Sequence, residues 1–580
     1  SKVQLEESDN QYQFSSVRRV RGYLSCTEEY THFGIAKKQK AKSINVTWPD
    51  GRVSVVKDPD ANKVHLISYT KSKAPNAQVP AKQVLFVDRS KEDIFPVFQH
   101  KENDFNDFHK QILLPHRLSR QGTEISVADL NGDKLEDFFI GNAKDVEGAV
   151  YFQKNQGNFE KSVQPDISKD KAYEDISSDI FDADGDGDMD LYVVSGGTEF
   201  PRGKYYQDRL YLNDGKGFFK KCSECLPPIS ESGGVAIHFD FDYDGDMDIL
   251  RGSRVIPDKY PFAPNSYLFE NKGNAKFRDV TVSKAPMLRN LGMVTDAMQV
   301  NSLIENKPTI VIVGEWMPIK LYSYSADGLK EIDASQYGFS NSVGWWNCII
   351  ADDLDNDGDI DMIGGNLGEN YKFQTSIEKP FSVYCDDFDQ NGTYDVVLAK
   401  YNNSELVPIR GKQCSQEQMP FIKTKYPTYK SFSETNLQGI LGDKMKSGVH
   451  YSAQTFSSKL FLNNQGKFES IPLPKLAQIS TIQGIVIQDF DHDGEKEIAV
   501  AGNYFQVEIE TTPADASIGL MMKYKDGKFY CVDNSDSGIF LPRDVKDLKQ
   551  INIAGDYALL VSNDDEPMQI LYPNKKINLK

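Results

Sequence analysis

One nine-residue turn recurs six times, and it limits what this chain can fold into more than any other feature. "DADGDGDMD" places acids at positions 1, 3, 5 and 9 (Asp182, Asp184, Asp186, Asp190) and a glycine, Gly187, at position 6. The template returns in "DLNGDKLED" (Asp129, Asn131, Asp133, Asp137), "DFDYDGDMD" (Asp240, Asp242, Asp244, Asp248) and "DLDNDGDID" (Asp353, Asp355, Asp357, Asp361). It returns again in "DFDQNGTYD" (Asp387, Asp389, Asn391, Asp395) and "DFDHDGEKE" (Asp489, Asp491, Asp493, Glu497). Like charges at this density repel unless a cation gathers them. Alternate oxygen side chains with a glycine at the bend begin a calcium loop, because Ca2+ collects about six to eight oxygens. The backbone carbonyl at position 7 (Leu135, Asp188, Asp246, Asp359, Thr393, Glu495) completes each expected ligand set. An EF-hand would need a glutamate at position 12 and flanking helices. Val193 stands there in the Asp182 copy, and "DLYVV" reads as a strand. Lys134 replaces the glycine in the Asp129 copy, which is therefore the poorest match.

Each turn leads into a short apolar run, such as "FFIGN", "ILRGS" or "MIGGN", and several are followed by a second hairpin, such as "RLYLNDGKGFFKK". Two hairpins make a four-stranded sheet of roughly 50 residues, the size of a propeller blade. The turns start at 129, 182, 240, 353, 387 and 489. The interval from 240 to 353 spans two steps, and a copy without ligands fills it at "VTDAMQVNSLIENKPTIVIVGEWMPIKLY". A last degenerate copy lies at "VKDLKQINIAGDYALLVSNDDEPMQILY". The step from 353 to 387 is too short for a full blade, so two units share a blade or one is reduced. The expectation is an all-β, seven-bladed β-propeller over 83–580, with eight blades as the alternative. The early strands at 83–88 and 95–100 complete the last blade, since an open edge would expose unpaired strand. Residues 401–457 form a partly helical insertion, with Leu437, Ile440, Leu441 and Met445 at helical spacing behind a Ser/Thr cap.

The repeats resemble FG-GAP/VCBS repeats, the calcium-bearing blades of integrin-α-type propellers. Residues 22–69, with "GYLSCTEEYTHFGIA" and "SINVTWPDGRVSVV", resemble the ASPIC/UnbV module. That places a small β module at 1–72 and a linker at 73–82. "GEWMPIKLY", "GWWNCIIADDLDNDGDIDMIGGNLGENYKF" and "TTPADASIG" resemble the bacterial branch that joins both modules. The resemblance implies about five to six Ca2+ ions and a secreted or outer-membrane setting, in some members beside SusC/SusD-type transporters. It implies no specific activity. In that family the module usually follows a propeller, whereas here it precedes one. The expectation is therefore an upstream part of the same gene product, carrying another propeller, an export signal and a lipid anchor.

The net charge of −19 argues against nucleic acid or an anionic membrane as partner. Six doubly charged ions would bring it to −7. No apolar run approaches the roughly 20 residues needed to span a bilayer. Cys222 and Cys225 form a lone CxxC, compatible with a local disulfide or with free thiols. Cys348 and Cys385 lie in apolar strands and are expected in the core. Of Trp345 and Trp346, one ring is expected in the core. His492 is expected to point out of its turn. The sequons at 45–47, 391–393 and 402–404 are read as chance. No GxSxG, phosphate loop or dinucleotide fingerprint is present, and the regular recurrence of the carboxylates assigns them to metal rather than to an acid/base pair.

The expected function is therefore non-catalytic: a calcium-binding extracellular scaffold or binding subunit, with a protein or glycan partner at the cell surface. The alternative is a propeller enzyme, a polysaccharide lyase or glycosidase with its site in the central channel. Titratable side chains converging in the channel away from the turns would favour the alternative.

Overall fold

A computed structural model of the chain describes residues 1–7, 11–18, 22, 25–26, 30–37, 39–73, 83–92, 98–154, 157–304 and 307–574. The chain divides into two compact units, Ser1–Lys82 and Gln83–Lys580.

In the first unit, alternating side chains form a four-stranded antiparallel sheet with the order Tyr12–Ser16, Lys2–Glu6, Ser43–Thr47, Val53–Lys57. Val3, Leu5, Ile44 and Val46 face one way and form its small core with Ala41. "WPDGR" makes the hairpin turn. The Gly51 N–H donates to the Trp48 carbonyl (3.0 Å), and Arg52 holds Ser72 through Nε and Nη2 (2.7 and 2.8 Å). Residues 23–24 and 27–29 of "GYLSCTEEYTHFGIA" lie outside the described residues.

The second unit is all-β in its framework. Among the described residues it holds eight four-stranded antiparallel arrays, one of them with a short fifth strand. Seven follow one another along the chain and begin with the strands Ile125–Ala128, Asp175–Phe181, Ser232–Phe239, Met293–Ile304, Cys348–Asp352, Gly484–Gln488 and Val545–Ile553. Each first strand packs against the next, and Val545–Ile553 packs against Ile125–Ala128, so the order is cyclic. The last sheet takes its fourth strand from Phe86–Asp88, which pairs with Gln569–Pro573 (Pro573 opposite Phe86, Leu571 opposite Asp88). Half of the expected strand at 95–100, residues 95–97, lies outside the described residues; Gln99 makes a single bridge to Pro567. The hydrophobic clusters sit between neighbouring sheets, as between Val235, Leu250 and Leu268 on one sheet and Ile310, Ile312 and Tyr322 on the next. That is the arrangement of a propeller-like repeat protein.

The fifth sheet explains the short step in the sequence. Its strands are Cys348–Asp352, Asp361–Gly365, Lys459–Asn464 and Lys467–Pro472. Between the second and third, the chain leaves to build the eighth array: Phe381–Asp386, Asp395–Asn402, Glu405–Pro408 and Val449–Ala453. The Asp387 turn belongs to this inserted sheet, so the insertion begins well before residue 401. Four short helices follow (Lys412–Gln418, Phe421–Lys425, Tyr429–Ser433, Leu437–Leu441). Met419, Ile422, Phe432, Leu437, Ile440 and Leu441 pack on Tyr384, Phe388, Val397 and Ala399 of the sheet. The last helix is capped by Asn436, whose Oδ1 accepts the Gly439 N–H (2.8 Å), rather than by a Ser or Thr.

Candidate functional site

All six turns close in the same way. The first acid reaches over the loop to accept the N–H of position 6: Asp129 from Lys134 (2.8 Å), Asp182 from Gly187 (3.0 Å), Asp240 from Gly245 (3.0 Å). Asp353, Asp387 and Asp489 do the same with Gly358, Gly392 and Gly494 (3.1, 2.9 and 2.9 Å). Position 6 has positive φ throughout, and Lys134 adopts it too, at +69°. The Asp129 turn therefore keeps the fold of the others despite its substitution. Position 4 is also left-handed, at Tyr243, Asn356, Gln390 and His492 as well as at Gly132 and Gly185. The side chain at position 5 accepts the N–H of position 7 in every turn, as Asp186 does from Asp188 (3.0 Å) and Asn391 from Thr393 (2.7 Å).

The ninth residue does two jobs. Asp137, Asp190, Asp248, Asp361, Asp395 and Glu497 are all buried, because each starts an inward-facing strand. One oxygen takes the N–H of position 2, as in Asp190 with Ala183 (2.9 Å). In four turns the other oxygen takes an N–H from the third strand: Gln153, Asn213, Asn271 and Asn463 donate to Asp137, Asp190, Asp248 and Asp361 (2.7–2.8 Å). Burial raises these carboxyls, to about 7 for Asp137, Asp190, Asp248, Asp395 and Glu497 and about 6 for Asp361. The third-strand amides also fasten one sheet to the one before. Asn213 Nδ2 donates to the carbonyls of Met189 in its own turn (2.9 Å) and Leu130 in the preceding turn (2.8 Å). Asn271 repeats this with Met247 and Ala183, and Gln153 with Glu136 and Asn552. Sequence reasoning missed these amides, although "LYLND", "YLFEN" and "LFLNN" carry the signal in plain view.

Oxygens converge where a cation could bind. Single oxygens of Asp182, Asp184 and Asp190 lie within 4.8 Å of one another, as do those of Asp240, Asp242 and Asp248; of Asp353, Asp355 and Asp357; and of Asp387, Asp389 and Asp395. Asp242 Oδ1 and Asp353 Oδ1 are buried without a hydrogen-bond partner. An all-oxygen donor set with orphaned buried oxygens fits calcium. The sixth turn differs. Lys523, paired with Glu497 across the sheet, sets its ammonium 2.6 Å from Glu497 Oε1, 2.7 Å from Asp493 Oδ2 and 3.6 Å from Asp491 Oδ2. A side-chain cation thus stands among the ligands of positions 3, 5 and 9. His492 is exposed and reaches Asp556 (3.3 Å), away from the ligands.

Away from the turns, the first strands enclose a cavity of about 950 Å3 lined by Glu124, Asp179, His238, Asp296, Asp547 and Lys549 among others. Burial, with the charges of neighbouring acids, pushes Glu124 up to about 8 and Asp296 to about 6; Lys549 opposes both shifts. Trp345 and Trp346 are both buried, as is Cys385, while Cys348 is half-buried. Cys222 and Cys225 are joined as a disulfide.

Residues 1–74 match the ASPIC and UnbV family, and residues 129–193 match the FG-GAP-like repeat. No curated protein matches the chain. Among solved structures, the biofilm matrix protein Bap1 of V. cholerae is similar at 11% identity and a TM-score of 0.34, over 83% of this chain and 91% of that one. BBS1N in complex with ARL6DN is similar at 11% identity and a TM-score of 0.28, over 70% and 93%. Likenesses this distant carry no argument about role. The two family matches, together with the recurring turns and four-stranded sheets, identify the chain as an FG-GAP repeat protein with a UnbV module.

Proposed function

We propose that the chain is a calcium-braced, seven-bladed propeller without catalytic activity, acting as a binding or scaffold subunit at the cell surface. The cyclic packing of seven first strands supports the blade count, with the eighth array as an insertion in the fifth blade. One observation carries the calcium reading: carboxylate oxygens converge in the same turn on four of the sheets, and two of them, Asp242 Oδ1 and Asp353 Oδ1, are buried with no protein donor to satisfy them. Bound calcium would neutralise charges that otherwise repel. Asp129, Asp182, Asp240, Asp353 and Asp387 open the five turns that take an ion most readily, and the sixth competes with Lys523. The partner is a surface protein or glycan, and an outer-membrane transport complex of the SusC/SusD type suits a rigid acidic body of this size.

The test is a thermal melt with and without chelator. Each site filled at a hundredfold excess over Kd adds about 2.7 kcal/mol. A large fall in Tm on chelation, reversed by Ca2+ but not by Mg2+, is expected; an unchanged melt overturns the reading. The carboxylates of the central cavity favour a second reading, a polysaccharide-cleaving enzyme. Turnover of a polysaccharide by the calcium-loaded protein that Glu124→Gln abolishes would establish it.

A further inference from the structure

A second, smaller space borders the central cavity. It measures about 20 Å3, room for one water-sized group, and is lined by His116, Glu315, Trp345 and Tyr371 together with Arg254 and Tyr504, which also line the cavity. Arg254 stands at the far end of Asp248–Val255, the strand whose first residue closes the Asp240 turn, so the niche lies at the end of the channel away from the turns. Its frame is a bulge. Glu315 pairs with Trp345 and Met317 with Gly344, which leaves Trp316 between the two pairs at φ +60°, a left-handed conformation that a bulky residue rarely adopts. Bulges re-aim side chains. Here Trp316 Nε1 donates to the Tyr260 hydroxyl (2.7 Å), and that hydroxyl donates to Glu315 Oε1. Glu315 Oε2 accepts from Arg254 Nη2 and lies 3.4 Å from His116 Nε2.

This network uses up the carboxylate and leaves donors over. Arg254 Nη1 and Trp345 Nε1 are buried without a hydrogen-bond partner, and so is Gln121 Nε2 on the cavity wall. The Arg254 side chain is 7% exposed and Trp345 is 5% exposed. Among the described residues, every orphaned side-chain atom of these two walls is a nitrogen. Buried donors call for an acceptor. A water would accept from two of them but brings two hydrogens that need acceptors in turn, whereas a carboxylate only accepts. Arg254 is suited to it: one guanidinium nitrogen serves Glu315, and the other can serve a second carboxylate.

The acids of the cavity wall do not bar such a group. Asp179 is bonded to His238 (2.9 Å), Asp547 faces Lys549 (3.7 Å) and Asp352 faces Lys496 (2.6 Å). Burial pushes Glu124 up to about 8, and Asp296 accepts the N–H groups of Ala297 and Ile349 (2.8 Å each). Much of the remaining wall is uncharged amide and hydroxyl, as at Ser178, Thr295, Gln299, Asn301 and Gln550, which suits a ligand rich in hydroxyls. We propose that the central cavity binds an acidic glycan, with a carboxylate oxygen of a uronic acid unit in the niche on Arg254 Nη1 and Trp345 Nε1 and the sugar hydroxyls along the cavity wall. The inference rests on the binding-subunit reading above and names its ligand class.

The experiment uses the full chain in excess Ca2+. Hexasaccharides bearing glucuronate or galacturonate are titrated by calorimetry beside the same sugars with their carboxyls reduced to alcohols. Saturable binding of at least one acidic sugar is expected, with at least about tenfold weaker binding of its reduced form. Arg254→Lys keeps a charge beside Glu315 but removes Nη1, and Trp345→Phe removes the indole N–H. Each should weaken the acidic sugar, Arg254→Lys by at least about tenfold and Trp345→Phe by about two- to tenfold, while the reduced sugar binds wild type and variants alike. Absence of saturable binding, equal binding of acidic and reduced sugars, or acidic binding that neither substitution weakens overturns the proposal. The calcium-dependent melt of the same samples keeps the two readings apart: a retained melt without sugar binding overturns this inference alone, whereas a melt indifferent to chelator overturns the calcium-braced scaffold.

Discussion

Replacing the ninth and the fifth acid of the same turn should separate what the carboxylates do for the fold from what they do for a metal. Asp190 is 1% exposed and accepts two backbone N–H groups, from Ala183 (2.9 Å) and Asn213 (2.8 Å), both on buried residues. Asp190→Ala orphans both donors. Each buried donor left unsatisfied costs about 1–3 kcal/mol, so the loss is about 2–6 kcal/mol with no metal involved. Asp186 is exposed and accepts one N–H, from Asp188 (3.0 Å). Asp186→Ala should cost no more than about 1 kcal/mol without calcium, because water replaces the lost acceptor. With calcium at a hundredfold excess over Kd, both variants should lose a further linkage contribution of about 2.7 kcal/mol for that site. Amide hydrogen exchange over residues 190–195 reads local opening directly and avoids treating a multi-blade protein as two-state. Asp190→Ala should lower protection in chelator as well as in calcium; Asp186→Ala should lower it only in calcium. Equal behaviour of the two variants in chelator would refute the assignment of the ninth acid to the fold.

Two further outcomes are expected. Lys523→Met removes the ammonium from Asp491, Asp493 and Glu497, so calcium stoichiometry measured after equilibrium dialysis should rise by one; an unchanged stoichiometry rejects the idea that lysine and metal compete there. His238 lies in the channel wall with Nδ1 2.9 Å from Asp179 and its ring stacked on Phe181. Burial works to lower its pKa, but the charge of Asp179 and the hydrogen bond outweigh it, and the net shift is upward. Its contribution is thus complete below about pH 6.5, the unfolded value, and is lost as pH rises through the higher folded value. The Tm difference between wild type and His238→Gln should shrink from pH 5.5 to pH 9, and a difference independent of pH disproves the pairing.

The turns were legible because calcium-loop chemistry is local: positions 1, 3, 5 and 9 can be read from nine letters. Their shared backbone was less so. Lys134 looked like a defect, yet it takes the left-handed conformation that glycine takes elsewhere. The inward role of the ninth acid follows from the apolar run it begins, and the third-strand asparagines stand at the end of their own runs. The two turns at Asp353 and Asp387 look equivalent in sequence, but strand partners are chosen by tertiary packing. Met362 pairs with Phe461, across the whole insertion, and no periodicity encodes that.

The closure of the seventh sheet by Phe86–Asp88 has a consequence in time. Ribosomes make protein at about 5–20 residues per second, so the roughly 480 residues between Asp88 and Leu571 take about 25–100 s to appear. Throughout that interval the strand that will seal the ring exists without its partner, and the nascent blades form an arc with two unpaired ends. Unpaired strand edges of this kind invite pairing with another chain. A second nascent copy offers the same edge, so the hazard grows with polysome density. Slow synthesis and crowding should therefore favour strand-swapped pairs, in which one chain's Phe86–Asp88 completes its neighbour's last sheet.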